Sequence, residues 1–424
     1  MQKNNLENKT IWIDRILWIT ACFMPLGFLP FPGIDIFDVV KGPLITISGI
    51  FLLFLLFQLK HLDKSIEAKL LYVFIFLAFL SSLFAIKPLL AFIGAIPDYG
   101  RYEGFITIFI YGLLFYSAKN YINITQKKIT FFLVGMSIIG IYAMVQFFEY
   151  DPLVIYMRYP KLIFSTIGNQ NFLASLMVMI LPLPCAMFLF SNKKNRFSIK
   201  PKSLLYLLVS FILFSALIAS ETRSAWIAFA YTYILSTIYF IALKRKYLFH
   251  FFILSLTFTF SLFLLNLKKS ESSLKNRAGS IKTEFNKKDE YGGSGRLKIW
   301  QLTINVIKKH PFLGVGPENL KPSLQTEFTN DLNKYWRRKR TTIDKAHNEY
   351  LHTASTIGIP ALLLLLSIYF LSFRNLYHQK NKESSFLIFM MISAYLMQAT
   401  FNISVIAVAP VFWILLGTSF RTKK

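Results

Sequence analysis

Cysteine and charge are both scarce in this chain of 424 residues. The only cysteines, Cys22 and Cys185, cannot form the multi-bridge framework of a small secreted domain. Both fall inside long apolar runs, where a small buried hydrophobe is the usual role. Charged residues make up 16% of the chain against 54% hydrophobic, which excludes a disordered chain and argues against a soluble core. Acidic residues are few, 21 against 47 basic ones, and none form the Asp-rich motif of a divalent-ion site. No His, Cys and carboxylate set has metal-ligand spacing, so no metal and no cofactor is expected. Internal repeats and low-complexity tracts are also missing.

Long apolar runs are present in number. Inside hydrocarbon every backbone N–H and C=O must be satisfied within its own segment, so runs of about 17 to 22 apolar residues must be helices. The spacing predicts an all-α polytopic integral membrane protein of about twelve transmembrane helices. They fall near 11–30, 42–59, 68–86, 104–118, 129–148, 172–190, 203–220, 223–243, 251–267, 353–373, 385–402 and 404–420. The first run carries Asp14 and Arg15 at its entry and no small-residue cleavage pattern near its end, so it is expected to be a span, not a signal peptide.

The net charge of +26 has a topological explanation, because cytoplasmic loops of membrane proteins collect Lys and Arg. One alternating set of loops holds Lys60 and Lys64, Lys127 and Lys128, Lys193 through Lys202, Lys244 to Lys246, Arg374 to Lys382, and the final Arg421, Lys423 and Lys424. The opposite short loops hold only scattered cations such as Lys41, Lys87, Arg101, Arg158, Lys161 and Arg223. Both termini are therefore expected in the cytoplasm, with a multi-pass chain in the cytoplasmic membrane. A nucleic-acid partner is not expected, because the most basic run, Trp336 to Arg340, lies on the outer side without a recognisable binding fold around it.

The domain organisation follows: helices 1–9 in residues 1–267, one large extracytoplasmic loop in 268–346, and helices 10–12 in 347–424. At roughly 80 residues the loop is too long for an idle connection and reads as a small folded element or a lid. Its first part, through Ser294, is rich in Lys, Ser, Asn and Gly and reads as mobile. Beyond it, Leu297, Trp300, Ile304 and Ile307 recur at helical spacing and Lys308, Lys309 and His310 close the run before Pro311. This predicts one amphipathic helix, resting either on a core of the loop's own or in the membrane interface.

Four groups of polar residues precede helices that begin on the outer face. They are Gly100 to Gly104, Ile167 to Asn171, Ser220 to Ser224, and Ala346 to Tyr350. A charged residue at a helix end is commonly a snorkelling anchor. Several arginines at one level also suit a pyrophosphate, since guanidinium stays charged and forks to two oxygens while helix N-termini add donors. Arg101, Arg223 and Arg296 form the candidate clamp. His347, with an ordinary pKa near 6.5, can take a proton from a hydroxyl at neutral pH. His310 and His352 are weaker candidates. Gly314-Val315-Gly316-Pro317 reads first as a tight turn and second as a phosphate contact.

Ser294-Gly295-Arg296-Leu297 with Trp300, then His310 to Pro317, then Ala346 to Leu351 leading to Gly358-Ile359-Pro360, resemble the O-antigen ligase and polymerase superfamily. Gly168-Asn169-Gln170-Asn171 and Thr222-Arg223-Ser224 resemble its patterns too, from roughly Gly100 onward. The resemblance implies a GT-C-like membrane glycosyltransferase working without a metal. Its donor would be a glycan on undecaprenyl pyrophosphate, and its site would lie on the extracytoplasmic side beneath the loop. It further implies that Arg223 and Arg296 hold the pyrophosphate and that His347 activates the acceptor. Arg101, Asn169, Asn171, Gly314, Gly316 and Glu349 are the accompanying substrate-binding candidates, with Glu103 and Glu221 as possible helpers.

The acceptor stays open: another lipid-linked repeat unit, as in a polymerase, or a glycan, lipid or protein hydroxyl, as in a ligase. Membrane lipids are the remaining partner. A flippase or transporter is the alternative of a different class, though it would place ionisable residues near the bilayer midplane and tends to show two related halves. A scaffolding protein would tolerate loss of the outward Arg and His residues.

Overall fold

The computed structural model describes residues 2–29, 37–96, 101–151, 162–192, 199–267 and 295–421. Outside them fall the mobile stretch expected before Ser294, the cations Lys193, Lys194, Arg196, Arg158, Lys161, Lys423 and Lys424, and Gly100.

The first part of the chain forms α1 (Gln2–Leu26), α2 (Asp38–Leu59), α3 (Ile66–Leu83), the short α4 (Pro88–Ile93), α5 (Phe105–Tyr121) and α6 (Gln126–Phe147). It continues through α7 (Gln170–Ile180), α8 (Pro182–Ser191), α9 (Pro201–Ala219), α10 (Arg223–Leu243) and α11 (Leu248–Asn266). Proline occupies the first positions of α4, α8 and α9, where its missing N–H costs nothing. Thr125 and Asn169 cap α6 and α7 through their side-chain oxygens.

Among the described residues eight segments are long and apolar enough to cross a membrane: α2, α3, α6, the consecutive pair α7–α8, α9, α10, residues 245–266 around α11, and a later helix, Ile359–His378. Their outward faces carry bare apolar side chains such as Ile50, Phe51, Phe57, Phe252 and Phe263, as expected where lipid is the solvent. The other four expected spans coincide with α1, α5 and two helices near the C-terminus. Cys22 in α1 and Cys185 in α8 are free thiols.

The loop residues form α12 (Arg296–Lys309), α13 (Leu320–Glu327) and α14 (Thr329–Lys339). They close around a separate core of Ile299, Leu302, Val306, Val315, Leu320 and Leu324, with Tyr335, Ile343 and Ala346. The expected helix is present, but its buried face is Ile299, Leu302, Thr303 and Val306. The apolar stripe read from the sequence points elsewhere, with Leu297 and Ile304 exposed. A helix with two apolar faces cannot be assigned one packing face by periodicity alone. The basic run Arg337 to Lys339 lies on the exposed side of α14, with Arg340 folding back over the Trp336 ring.

Two predicted spans are corrected. The run 353–373 is broken: α15 (Glu349–Thr356) ends, Gly358 turns the chain at φ +102°, and α16 (Ile359–His378) starts anew. The run 385–402 is α17 (Lys382–Ala399), and the run 404–420 shortens to the ten-residue α18 (Ala409–Thr418), which rises only about 15 Å. Between them residues 400–408 are non-helical yet mostly buried. Irregular backbone is tolerated among membrane helices only where protein surrounds it.

The loops sort to two ends of the bundle. At one end Lys119 pairs with Asp63 and Glu67, Lys128 with Asp14, and Tyr247 donates to Glu383. At the other end the loop subdomain docks on the bundle. Asn319 exchanges hydrogen bonds with the backbone of Lys87, and Ser81 donates to the Thr356 carbonyl.

Candidate functional site

The irregular segment 400–408 gathers the polar groups flagged in the sequence. Asn402 donates to the Asn171 carbonyl and to Ser175, fixing the N-terminus of α7. Thr222 donates to the Gln170 carbonyl at 3.2 Å, so the start of α10, with Arg223 as its first residue, abuts the same helix. The Phe401 ring meets Trp300 of α12, four residues after Arg296. The amide of Ile406 donates to Glu103 at 3.0 Å. On the neighbouring turns of α17, Tyr395 donates to Glu349 and the Leu396 carbonyl accepts from Tyr350. Two of the four polar groups therefore bond residues 400–408 directly, while the Ser220 to Ser224 group joins through Gln170 and the Ala346 to Tyr350 group through the end of α17.

His347 sits above this point on a strained turn. Its φ of +48° is left-handed, a conformation that costs a non-glycine residue of order 1 kcal/mol or more and marks a constrained position. Asn348 follows as the cap of α15, accepting from the Leu351 amide at 2.9 Å. Burial lowers the His347 pKa below the ordinary 6.5, and Arg296, Arg101 and Lys345 lower it further, while Asp344 opposes them. This shift favours the neutral imidazole, the form that accepts a proton. His352, one turn beyond Asn348, is half-buried and driven far below its ordinary value, again chiefly by desolvation of its ring.

The surrounding charges are paired. Arg101 forms an ion pair with Asp344, and Lys345 one with Glu318. Burial pushes Asp344 upward, but Arg101, Lys345 and His347 outweigh it and leave the carboxyl below its usual range. Burial raises Glu103, with Glu318 and Asp38 adding like charge against Lys345 and Arg101. Glu349 is pushed up to about 7, chiefly by burial, against the Tyr395 hydrogen bond. Among the described residues no group of three or more His, Cys, Asp or Glu is arranged to hold a metal ion.

Residues 208–366, which carry Arg223, Arg296, Gly314, Gly316, His347 and Glu349, match the family model described as O-Antigen ligase. Over that stretch the chain is similar to the O-antigen ligase family. Members of that family are membrane glycosyltransferase-type enzymes acting as ligases or polymerases. The match begins at 208, not near Gly100, so Arg101, Asn169 and Asn171 lie outside it. No curated protein matches the chain.

Within and beside the matched stretch the candidates take different places. Arg296 opens α12 within electrostatic range of His347. Arg101 is brought to the site but is engaged by Asp344. Asn169 spends its side-chain oxygen on capping α7, and Asn171 contributes its carbonyl to Asn402. The Gly314 amide donates to His310 and the Gly316 amide to Thr356, so both are committed to the docking turn. His310 pairs with Glu327 inside the loop subdomain. Asp344, Lys345, Glu318, Tyr395 and Asn402 escaped the sequence reading. Asp344 and Lys345 directly precede the Ala346 to Tyr350 group, a proximity that was legible. Asn402 and Tyr395 gave no local signal, because each acts on a residue remote in sequence.

Proposed function

We propose that this protein transfers a glycan from undecaprenyl pyrophosphate to an acceptor hydroxyl at the outer face of the cytoplasmic membrane. The observation that carries the reading is a half-buried His347 on a left-handed turn, its pKa held below the ordinary value and its ring set among Arg296, Arg101 and Lys345. A base that stays unprotonated beside fixed cations suits a reaction that takes a proton from the acceptor while negative charge grows on the leaving group.

In this reading the acceptor O–H bond breaks and its proton passes to His347. The acceptor oxygen bonds to the anomeric carbon, and the bond from that carbon to the phosphate oxygen breaks. Undecaprenyl pyrophosphate departs with the electron pair, its charge offset by Arg223 and Arg296. The leaving group needs no protonation, so no paired acid is required. Arg101, Asn169, Asn171 and Glu349 frame the substrate space, Arg101 through its hold on Asp344. Both termini then lie in the cytoplasm, about twelve helices span the membrane, and the site is extracytoplasmic.

The test is transfer in proteoliposomes from a labelled undecaprenyl-pyrophosphate oligosaccharide. Wild type is compared with Arg223→Ala, Arg296→Ala and His347→Ala at matched folding. Release of the lipid pyrophosphate by wild type, with loss of transfer by orders of magnitude in the variants, is expected. Wild-type rates in the variants would overturn the site, and movement of intact donor between leaflets without release would make the protein a transporter. The size and attachment of the product separate ligase from polymerase.

A further inference from the structure

The loop subdomain turns an apolar edge outward at the level where α16 starts. The Ile359 amide, the first of that membrane-crossing helix, donates to the Pro311 carbonyl at 2.8 Å. A Cβ on Gly358 would lie 1.9 Å from the Phe312 carbonyl oxygen, so the two backbones are in direct contact. Phe312 is nonetheless 75% exposed, beside Ile359 at 39% and above the bare Leu363, Leu366 and Phe370 of α16. On α12 the second apolar face adds Leu297 at 48% and Ile304 at 40%, roughly opposite the face in the loop's core. Exposed Lys308 follows Ile304 one turn on along this same face.

We infer that Phe312, Ile304 and Leu297 seat the loop subdomain in the outer lipid–water interface of the phospholipid bilayer. At Phe312 and Ile359 the apolar edge adjoins the lipid-facing side of α16, and Phe312, Ile304 and Leu297 all stay exposed among the described residues. A large aromatic ring held in water at the mouth of a membrane helix is unfavourable by about 25 cal/mol per Å² of apolar surface. The boundary between acyl chains and headgroups removes that penalty, and Lys308 meets phosphate there. The subdomain carrying Arg296 and His347 is thereby held at a fixed height over the bilayer, where a lipid-borne headgroup arrives laterally. The inference stands on exposure and continuity and is independent of the transfer chemistry.

Nitroxide labels at Phe312→Cys and Ile304→Cys, in a Cys22→Ala/Cys185→Ala background in phosphatidylethanolamine–phosphatidylglycerol vesicles, test it by power saturation. Labels at Leu363→Cys and at the exposed Asn333→Cys of α14 serve as the lipid and water references. Positions 312 and 304 should collide with oxygen several-fold more than with a water-soluble nickel chelate, at depths between the two references. A second measurement uses unlabelled Phe312→Trp, whose added fluorescence should be quenched by lipids brominated near the headgroup. Chelate accessibility equal to that at 333, or added fluorescence in the Phe312→Trp protein untouched by brominated lipid, overturns the inference.

Discussion

Lys345→Met removes the cation from an ion pair whose two side chains are only 3% and 4% exposed, and leaves the Glu318 carboxylate buried without it. The neighbouring Glu103 carboxyl adds like charge to the same region. Deleting one partner of a buried pair costs about 3–5 kcal/mol, because the remaining charge keeps its desolvation penalty and loses its compensation. Glu318→Gln should cost a comparable amount by stranding the ammonium near Arg101 and His347. The double variant Lys345→Met/Glu318→Gln carries no buried charge at this point and should recover much of the loss. The expected coupling is about 2–3 kcal/mol, within the range for contacting residues. The assay is SDS titration in mixed micelles, followed by tryptophan fluorescence, on all four proteins. The reasoning is refuted if each single variant costs less than about 1 kcal/mol. It is also refuted if the double variant equals the sum of the singles within about 0.5 kcal/mol.

With neutral His347 as the base of the proposed transfer, kcat/KM should fall roughly tenfold per pH unit below its lowered pKa. Arg296→Gln removes a cation that lowers that pKa, moving the acid limb to higher pH. Asp344→Asn removes the opposing anion and moves it to lower pH; pH–rate profiles showing shifts of the reverse sign would count against the assignment. Gly358→Ala should cost more than about 3 kcal/mol, since φ +102° disfavours any side chain and the new Cβ would sit 1.9 Å from a carbonyl oxygen. Loss of a monodisperse peak on size exclusion and new protease cleavage near residues 310–316 would register it. Gln398 is 1% exposed with both amide atoms unpartnered among the described residues, so Gln398→Met should stabilise by about 1–3 kcal/mol in the same SDS titration. A destabilised Gln398→Met protein would mean that the amide is satisfied in the membrane.

Much of the architecture was local information. A run of apolar residues long enough to cross hydrocarbon must be helical whatever surrounds it, so α2, α3, α6, α9 and α10 follow from residues 42 to 243 taken a segment at a time. Caps behave the same way: Asn169 and Asn348 begin helices because a short side-chain oxygen reaches an amide two or three residues on. Arg223, Arg296 and His347 stood out because polar residues ahead of apolar helices are costly unless used.

Only the tertiary structure decided what those residues meet. Run length could not show that 400–408 leaves the helix, because its buried backbone is stabilised by partners such as Glu103, about 300 positions earlier in the chain. Nor could it show that Arg101 is held by Asp344, or that Gly314 and Gly316 give their amides to the protein. The face of α12 that enters the loop core was equally hidden, since two apolar faces on one helix are separated only by the neighbours that fold against them. The sequence by itself determined which segments are helical and which residue types precede their starts. Long-range packing determined which of them are spent on structure and which surround His347, because burial and charge pairing depend on neighbours that periodicity does not record.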